Sequence, residues 1–210
     1  MTEVKICGLS TAATMQAALD AGADFVGLMF FAKSPRNVSL QQAAGLAEQA
    51  RGAARIVTVT VDADDAELNA IAANVRPDLI QAHGNETPSR IAAMAKLTGI
   101  GVYKVLKVRE AADAARAPAF TAARFMMYDA APPQGSVLPG GNGLAFDWAI
   151  LKDVARPFML AGGLNAENVG DAIRVTGAPM VDVSSGVESS PGVKDATLIR
   201  KFIEAAKARR

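Results

Sequence analysis

The chain has 210 residues and is poor in the side chains that metal and redox chemistry use. It contains one cysteine and one histidine. One cysteine excludes an internal disulfide and any zinc site built on two or more thiolates. One histidine excludes a His-rich metal centre. Aromatic residues make up only 5% of the chain although half of it is hydrophobic by class. Alanine carries much of that apolar content, which suits small helices packed closely on a sheet. Net charge is +1, from 22 basic and 21 acidic side chains. Such a balance gives no electrostatic reason to expect nucleic acid or a membrane surface as partner. The longest uninterrupted apolar run, Phe25–Ala32, is eight residues, well short of the roughly 20 that span a bilayer. The opening MTEVKICGLS carries Glu3 and Lys5 and has no signal-peptide apolar segment. The expectation is a cytoplasmic protein, monomer or homodimer, of one domain over residues 1–210.

What is present is a repeating alternation. Strand-like runs recur at Val4–Cys7, Phe25–Phe30, Ile56–Val61, Leu79–His83, Val102–Leu106, Phe125–Asp129, Phe158–Ala161 and Val181–Ser184. Helical spacing lies between them. Leu68, Ile71, Ala72 and Val75 fall at i, i+3, i+4, i+7, as do Ile199, Phe202, Ile203 and Ala206. Ser10, Ser39, Thr87 and Asn165 read as helix N-caps, and Gly22, Gly99 and Gly177 as helix ends. A fifth helix over 110–115 and a sixth over 147–154 are short. Eight strands alternating with eight helices is the arithmetic of an α/β fold of the (β/α)8 TIM-barrel type. A doubly wound open sheet is the competitor, but no GxGxxG follows the first strand.

A barrel places its chemistry at the C-terminal ends of the strands and in the loops that follow. The single Cys7 and single His83 both end strands, and so does Asp129. Ala161-Gly162-Gly163 follows the seventh strand and Ser184-Ser185-Gly186 the eighth. Glycines there let the backbone approach an anion, and exposed N–H groups and serine hydroxyls can hold a phosphate. A third glycine-rich loop, Pro139-Gly140-Gly141-Asn142-Gly143, follows the sixth strand and is open to three readings, a mobile lid, a further substrate contact or a surface turn.

Taken in order, several segments resemble the phosphoribosylanthranilate isomerase family of tryptophan biosynthesis. They are Lys5-Ile6-Cys7-Gly8-Leu9, Ser34-Pro35-Arg36, Gln81-Ala82-His83-Gly84, Asp129, Gly140-Gly141-Asn142-Gly143, Phe146-Asp147-Trp148, Leu160-Ala161-Gly162-Gly163-Leu164 and Val181 to Glu188, then Pro191-Gly192 and Lys194-Asp195. Each is weak alone; the ordered set spans residues 5 to 195. Family members often carry Leu in place of Ala82 and Thr in place of Asn142. The resemblance implies an isomerase that performs an Amadori rearrangement of a sugar-phosphate substrate by proton transfer, with no cofactor and no metal. It implies Cys7 as base, Asp129 as acid and Arg36 as partner of the substrate carboxylate. Gly162, Gly163, Ser184, Ser185 and Gly186 would hold the phosphate, with Gly141 and Asn142 as further contacts. His83 reads as a binding or structural element, not as the base.

Strand parity adds a pairing that the resemblance does not supply. Residues i and i+2 share a face, so Lys5 points with Cys7 and Asp182 with Ser184. The first and eighth strands are neighbours in a closed barrel, which predicts a buried Lys5–Asp182 pair, with Lys104 a further candidate to point inward. Three rival readings stand beside the isomerase. One is a Schiff-base aldolase using Lys104 or Lys107, and another is a non-catalytic sugar-phosphate-binding barrel. The third is the related histidine-pathway isomerase, which would carry Asp where Cys7 stands.

Overall fold

Short β-branched and apolar runs separated by amphipathic segments build one closed sheet wrapped by helices. The computed structural model describes residues 2–131, 145–154 and 157–208. Eight parallel strands form the barrel: β1 (Glu3–Cys7), β2 (Phe25–Phe30), β3 (Arg55–Thr60), β4 (Leu79–Ala82), β5 (Gly101–Val108), β6 (Met126–Ala130), β7 (Phe158–Leu160) and β8 (Met180–Val183). Each lies within one or two residues of its expected position. A small antiparallel hairpin, β9 (Glu188–Ser190) and β10 (Val193–Lys194), follows β8. Its strands are too short to show an apolar alternation.

Around the barrel run α1 (Ala12–Asp20), α2 (Leu40–Ala50), α3 (Asp65–Val75), α4 (Pro88–Thr98), α5 (Ala111–Ala114), α6 (Val169–Thr176) and α7 (Ala196–Lys207). The described residues thus hold seven α-helices, not eight. The expected helix over 147–154 is a single 3-10 turn, Trp148–Leu151, whose first N–H groups are capped by Asp147 accepting from the Ala149 N–H. Pro157 and the start of β7 at Phe158 leave room for little more. Ser39 caps α2 in a reciprocal box with Gln42, and Thr87 caps α4 with Pro88 behind it. Two expected caps move. Thr11, not Ser10, caps α1. Asn168 precedes α6, while the Asn165 side chain accepts from the N–H groups of Glu167 and Asn168 in a turn of its own.

Alternation along the strands sorts two cores. Phe25, Val57, Tyr103, Val105, Met127 and Met159 pack inside the barrel, where Tyr103 stacks on Phe125 with ring centroids 4.6 Å apart. Their strand neighbours Val26, Ile56, Val102, Tyr128 and Leu160 pack outward against the helices. Lys5 falls on the inner face and pairs in register with Asp182 where β1 meets β8. Its Nζ lies 2.7 Å from Asp182 Oδ1, with side chains 0% and 7% exposed. Burial alone would strip the ammonium of its proton; the Asp182 carboxylate outweighs that and raises the Lys5 pKa. The pair expected from parity is therefore present. Lys104 is not a third inward group. It shares the outward face of Val102 and Leu106 and pairs with Glu86 at 2.7 Å. Its ammonium also donates to the Gly84 carbonyl at 2.7 Å.

Removing one member of the Lys5–Asp182 pair leaves the other charge stranded in the barrel. Lys5→Met and Asp182→Asn are each expected to lower unfolding free energy by about 3–5 kcal/mol. Lys5→Met combined with Asp182→Leu should recover much of that loss in urea denaturation. Additive losses in the double variant would contradict the pairing.

Candidate active site

The inner-face parity that buries Lys5 carries Cys7, two residues on, to the C-terminal rim of β1, where it is 4% exposed. Asp129 reaches the same rim from β6, 6% exposed. β1 and β6 stand three strands apart around the barrel. Burial raises the Cys7 thiol above its ordinary pKa, and the Lys5 ammonium pulls in the opposite direction without cancelling it. A thiolate formed there is a strong base, held next to a fixed positive charge.

His83 sits just beyond β4 on the same inner face as Gln81. Its Nδ1 lies 2.9 Å from Gln81 Nε2, and Gln81 Oε1 accepts from the Tyr103 hydroxyl at 2.6 Å. On its other side, His83 Nε2 comes 3.3 Å from Asp129 Oδ2. That approach is close but poorly aligned, and Nε2 makes no hydrogen bond among the described residues. Both ring nitrogens thus face protein groups.

Arg36 follows β2 and is 5% exposed. It is already engaged: Nε donates to Glu188 Oε1 at 2.7 Å and one Nη to Glu188 Oε2 at 2.8 Å. Glu188 opens the β9–β10 hairpin, and its Oε2 also accepts from the Gly192 N–H. Lys194 from β10 reaches Glu188 Oε1 at 2.5 Å and the Ser184 carbonyl at 2.8 Å. Burial would raise the Glu188 carboxyl, but hydrogen bonds from Arg36 and the charge of Lys194 hold it down to about 2. A carboxylate from a ligand cannot take that edge of Arg36 without displacing Glu188. The far edge of the guanidinium still offers a fork of N–H groups.

The two expected phosphate loops meet. Gly162 and Gly163 follow β7 with φ of +90 and +61, a left-handed backbone open to glycine. A Cβ on Gly162 would overlap the Ala130 N–H, and one on Gly186 would overlap the Leu164 carbonyl. Gly186 lies in a single 3-10 turn, Ser185–Val187. The Ser184 hydroxyl, however, donates to the Cys7 carbonyl at 3.2 Å and so ties the loop after β8 to the end of β1. Its one proton is occupied there, which leaves Ser185 as the hydroxyl donor of the pair. Gly141 and Asn142 lie outside the described residues.

A family model described as N-(5'phosphoribosyl)anthranilate (PRA) isomerase matches residues 4–205. The chain belongs to this family. A Rhodopseudomonas palustris N-(5'-phosphoribosyl)anthranilate isomerase is 54% identical over 209 residues, covering 98% of this chain and 96% of its own. The Caulobacter vibrioides protein of the same name is 53% identical, with 97% and 94% covered. The crystal structure of phosphoribosyl anthranilate isomerase from Thermotoga maritima aligns with a TM-score of 0.89 at 33% identity over 99% of both chains. A phosphoribosyl anthranilate isomerase solved in complex with reduced 1-(o-carboxyphenylamino)-1-deoxyribulose 5-phosphate aligns with a TM-score of 0.86 at 32% identity, again over 99% of both chains.

Four groups that touch the expected site residues, directly or through one other side chain, escaped the sequence reading as individual groups. Gln81 could have been found by the i, i+2 parity that it shares with His83. Glu188 and Lys194 flank Pro191-Gly192, a turn signal that closes a hairpin and brings the two charges together. Tyr103 had no local signal beyond its place on an inner face.

The depressed Glu188 pKa makes stability acid-sensitive in a defined window. The unfolded carboxyl takes up its proton near 4.5, the folded one only near 2. Stability from this group is present above about 4.5 and is lost as pH falls toward 2. Glu188→Gln should flatten that fall in melting temperature over the same range; an unchanged slope would show that the Arg36–Glu188–Lys194 cluster does not couple to folding.

Proposed function

We propose that the chain catalyses the Amadori rearrangement of N-(5-phosphoribosyl)anthranilate to 1-(o-carboxyphenylamino)-1-deoxyribulose 5-phosphate in tryptophan biosynthesis. The observation that carries the reading is the joint placement of the single thiol and the Asp129 carboxyl on the inner rim, in a chain that matches the family over residues 4–205.

Asp129 gives its proton to the furanose ring oxygen as the bond from that oxygen to the first sugar carbon breaks. The anthranilate nitrogen lone pair forms the carbon–nitrogen double bond of an iminium. Cys7, as thiolate, takes the proton from the second sugar carbon. The electrons of that bond become the carbon–carbon double bond and neutralise the nitrogen, giving an enolamine that tautomerises to the ketone. One proton enters the substrate from Asp129 and one leaves to Cys7, so the reaction is redox-neutral, and exchange with solvent resets the pair. Gly162, Gly163, Ser185 and Gly186 are assigned to the phosphate, with Ser184 anchoring their loop to β1. Arg36 is assigned to the anthranilate carboxylate through the edge that Glu188 leaves free. Lys104 is a poor imine-forming nucleophile here, since its ammonium is turned outward and held by Glu86, so the aldolase alternative loses one of its two lysines. The Thermotoga maritima relative is described as dimeric; a homodimer is the matching expectation for this chain.

Cys7→Ala and Asp129→Asn should each lower turnover of freshly prepared phosphoribosylanthranilate by roughly 10²-fold or more. Near-normal turnover in both variants would refute the assignment. Because Cys7 is the only thiol, whole-protein alkylation reports on it alone. With its pKa raised, labelling by iodoacetamide should be slow near neutral pH and climb as pH passes the ordinary thiol value; full reactivity already at neutral pH would contradict the burial argument.

A further inference from the structure

Outside the acid and base themselves, the rim holds one buried polar chain whose members have no role in the steps above. It runs from the Tyr103 hydroxyl to Gln81 at 2.6 Å, from Gln81 to His83 at 2.9 Å, and from His83 to within 3.3 Å of Asp129. Tyr103, Gln81 and His83 are 0%, 1% and 8% exposed. Lys107 lies on the same face of β5 and pairs in register with Asp129.

The chain has a direction. A phenol hydroxyl buried inside the barrel needs an acceptor, and Gln81 Oε1 is the one at hand. With the oxygen of the amide fixed there, its nitrogen is the atom that faces His83. An amide N–H can only donate, so His83 Nδ1 must present its lone pair. A neutral imidazole then carries its single proton on Nε2, the nitrogen that faces Asp129. Protonating Nδ1 as well would set two N–H groups against each other.

We propose that Tyr103 and Gln81 are positioning residues that hold His83 as a neutral Nε2–H donor aimed at Asp129. This rests on the isomerase reading above and deepens it. The acid must own its proton before the ring opens and must be stabilised as a carboxylate afterwards. A neutral N–H does both: it does not compete for the proton, and it donates to the Oδ2 left behind. The misaligned 3.3 Å approach in the free protein is the arrangement expected before that charge has formed, since catalytic hydrogen bonds tighten in the transition state.

With a single histidine in 210 residues, the imidazole nitrogen NMR spectrum of the whole protein is that of His83. The wild type without ligand, near neutral pH, should show Nδ1 unprotonated and Nε2 protonated. Tyr103→Phe keeps the ring stacked on Phe125 and removes only the hydroxyl; it frees the amide to turn and should give a mixture of tautomers. Gln81→Glu presents an acceptor on both sides and should move a proton onto Nδ1. Both variants should lose roughly tenfold or more in kcat with KM changed little. A protonated Nδ1 in the wild type overturns the proposal while leaving wild-type isomerase activity intact. Unchanged tautomer and unchanged kcat in both variants overturn it as well. A wild type that does not convert the substrate at all overturns the isomerase reading and this inference with it.

Discussion

The ion pair at the seam of the barrel is the constraint on which the rest depends. Lys5 and Asp182 meet where β1 closes on β8, and both are buried. A one-residue slip of either strand would turn its charge into the helix layer and bring a valine or isoleucine inside. The pair therefore fixes register at the joint between the first and last strands. Because side chains alternate, that same register decides that Cys7 faces the mouth and that Ser184 lies beside it. The closure of the fold and the aim of the thiol are one geometric fact.

Charge in this molecule is divided by task. Lys5 with Asp182, Lys104 with Glu86, and Arg36 and Lys194 with Glu188 are buried and paired, as charges removed from water must be. They set the strand ends and the loops after β4 and β8. Cys7, His83 and Asp129 lie at the rim outside those pairs, with the Lys5 ammonium next to the thiol. The Arg36–Glu188–Lys194 cluster also joins two loops at the rim. It ties the β9–β10 hairpin to the loop after β2 and holds the guanidinium in one orientation. Preorganisation of that kind lowers the ordering cost of binding.

Much of the site was legible in the order of residues. Strand ends could be read from apolar runs, and the rim residues Cys7, His83 and Asp129 followed from them. The Lys5–Asp182 pair followed from parity and the neighbour relation of the first and last strands. Parity misplaced nothing where it was applied with a known inner face; Lys104 failed because its face was not fixed by a second residue. The helix expected over 147–154 failed for a local reason, the proline that closes the segment. The hairpin after β8 was missed because two- and three-residue strands carry no periodicity.

Sequence alone determined the eight strands, the rim position of the only thiol and the glycine loops after the seventh and eighth strands. These are properties of spacing, and spacing survives without coordinates. Tertiary structure alone decided which groups are already occupied. It turned one edge of Arg36 to Glu188, the Ser184 hydroxyl to the Cys7 carbonyl, and the two nitrogens of His83 to Gln81 and Asp129. Those contacts join residues from about 46 to 177 positions apart, with His83 and Gln81 the one local exception. A hydrogen bond of that span depends on how the barrel closes, and no local pattern of residue types records it.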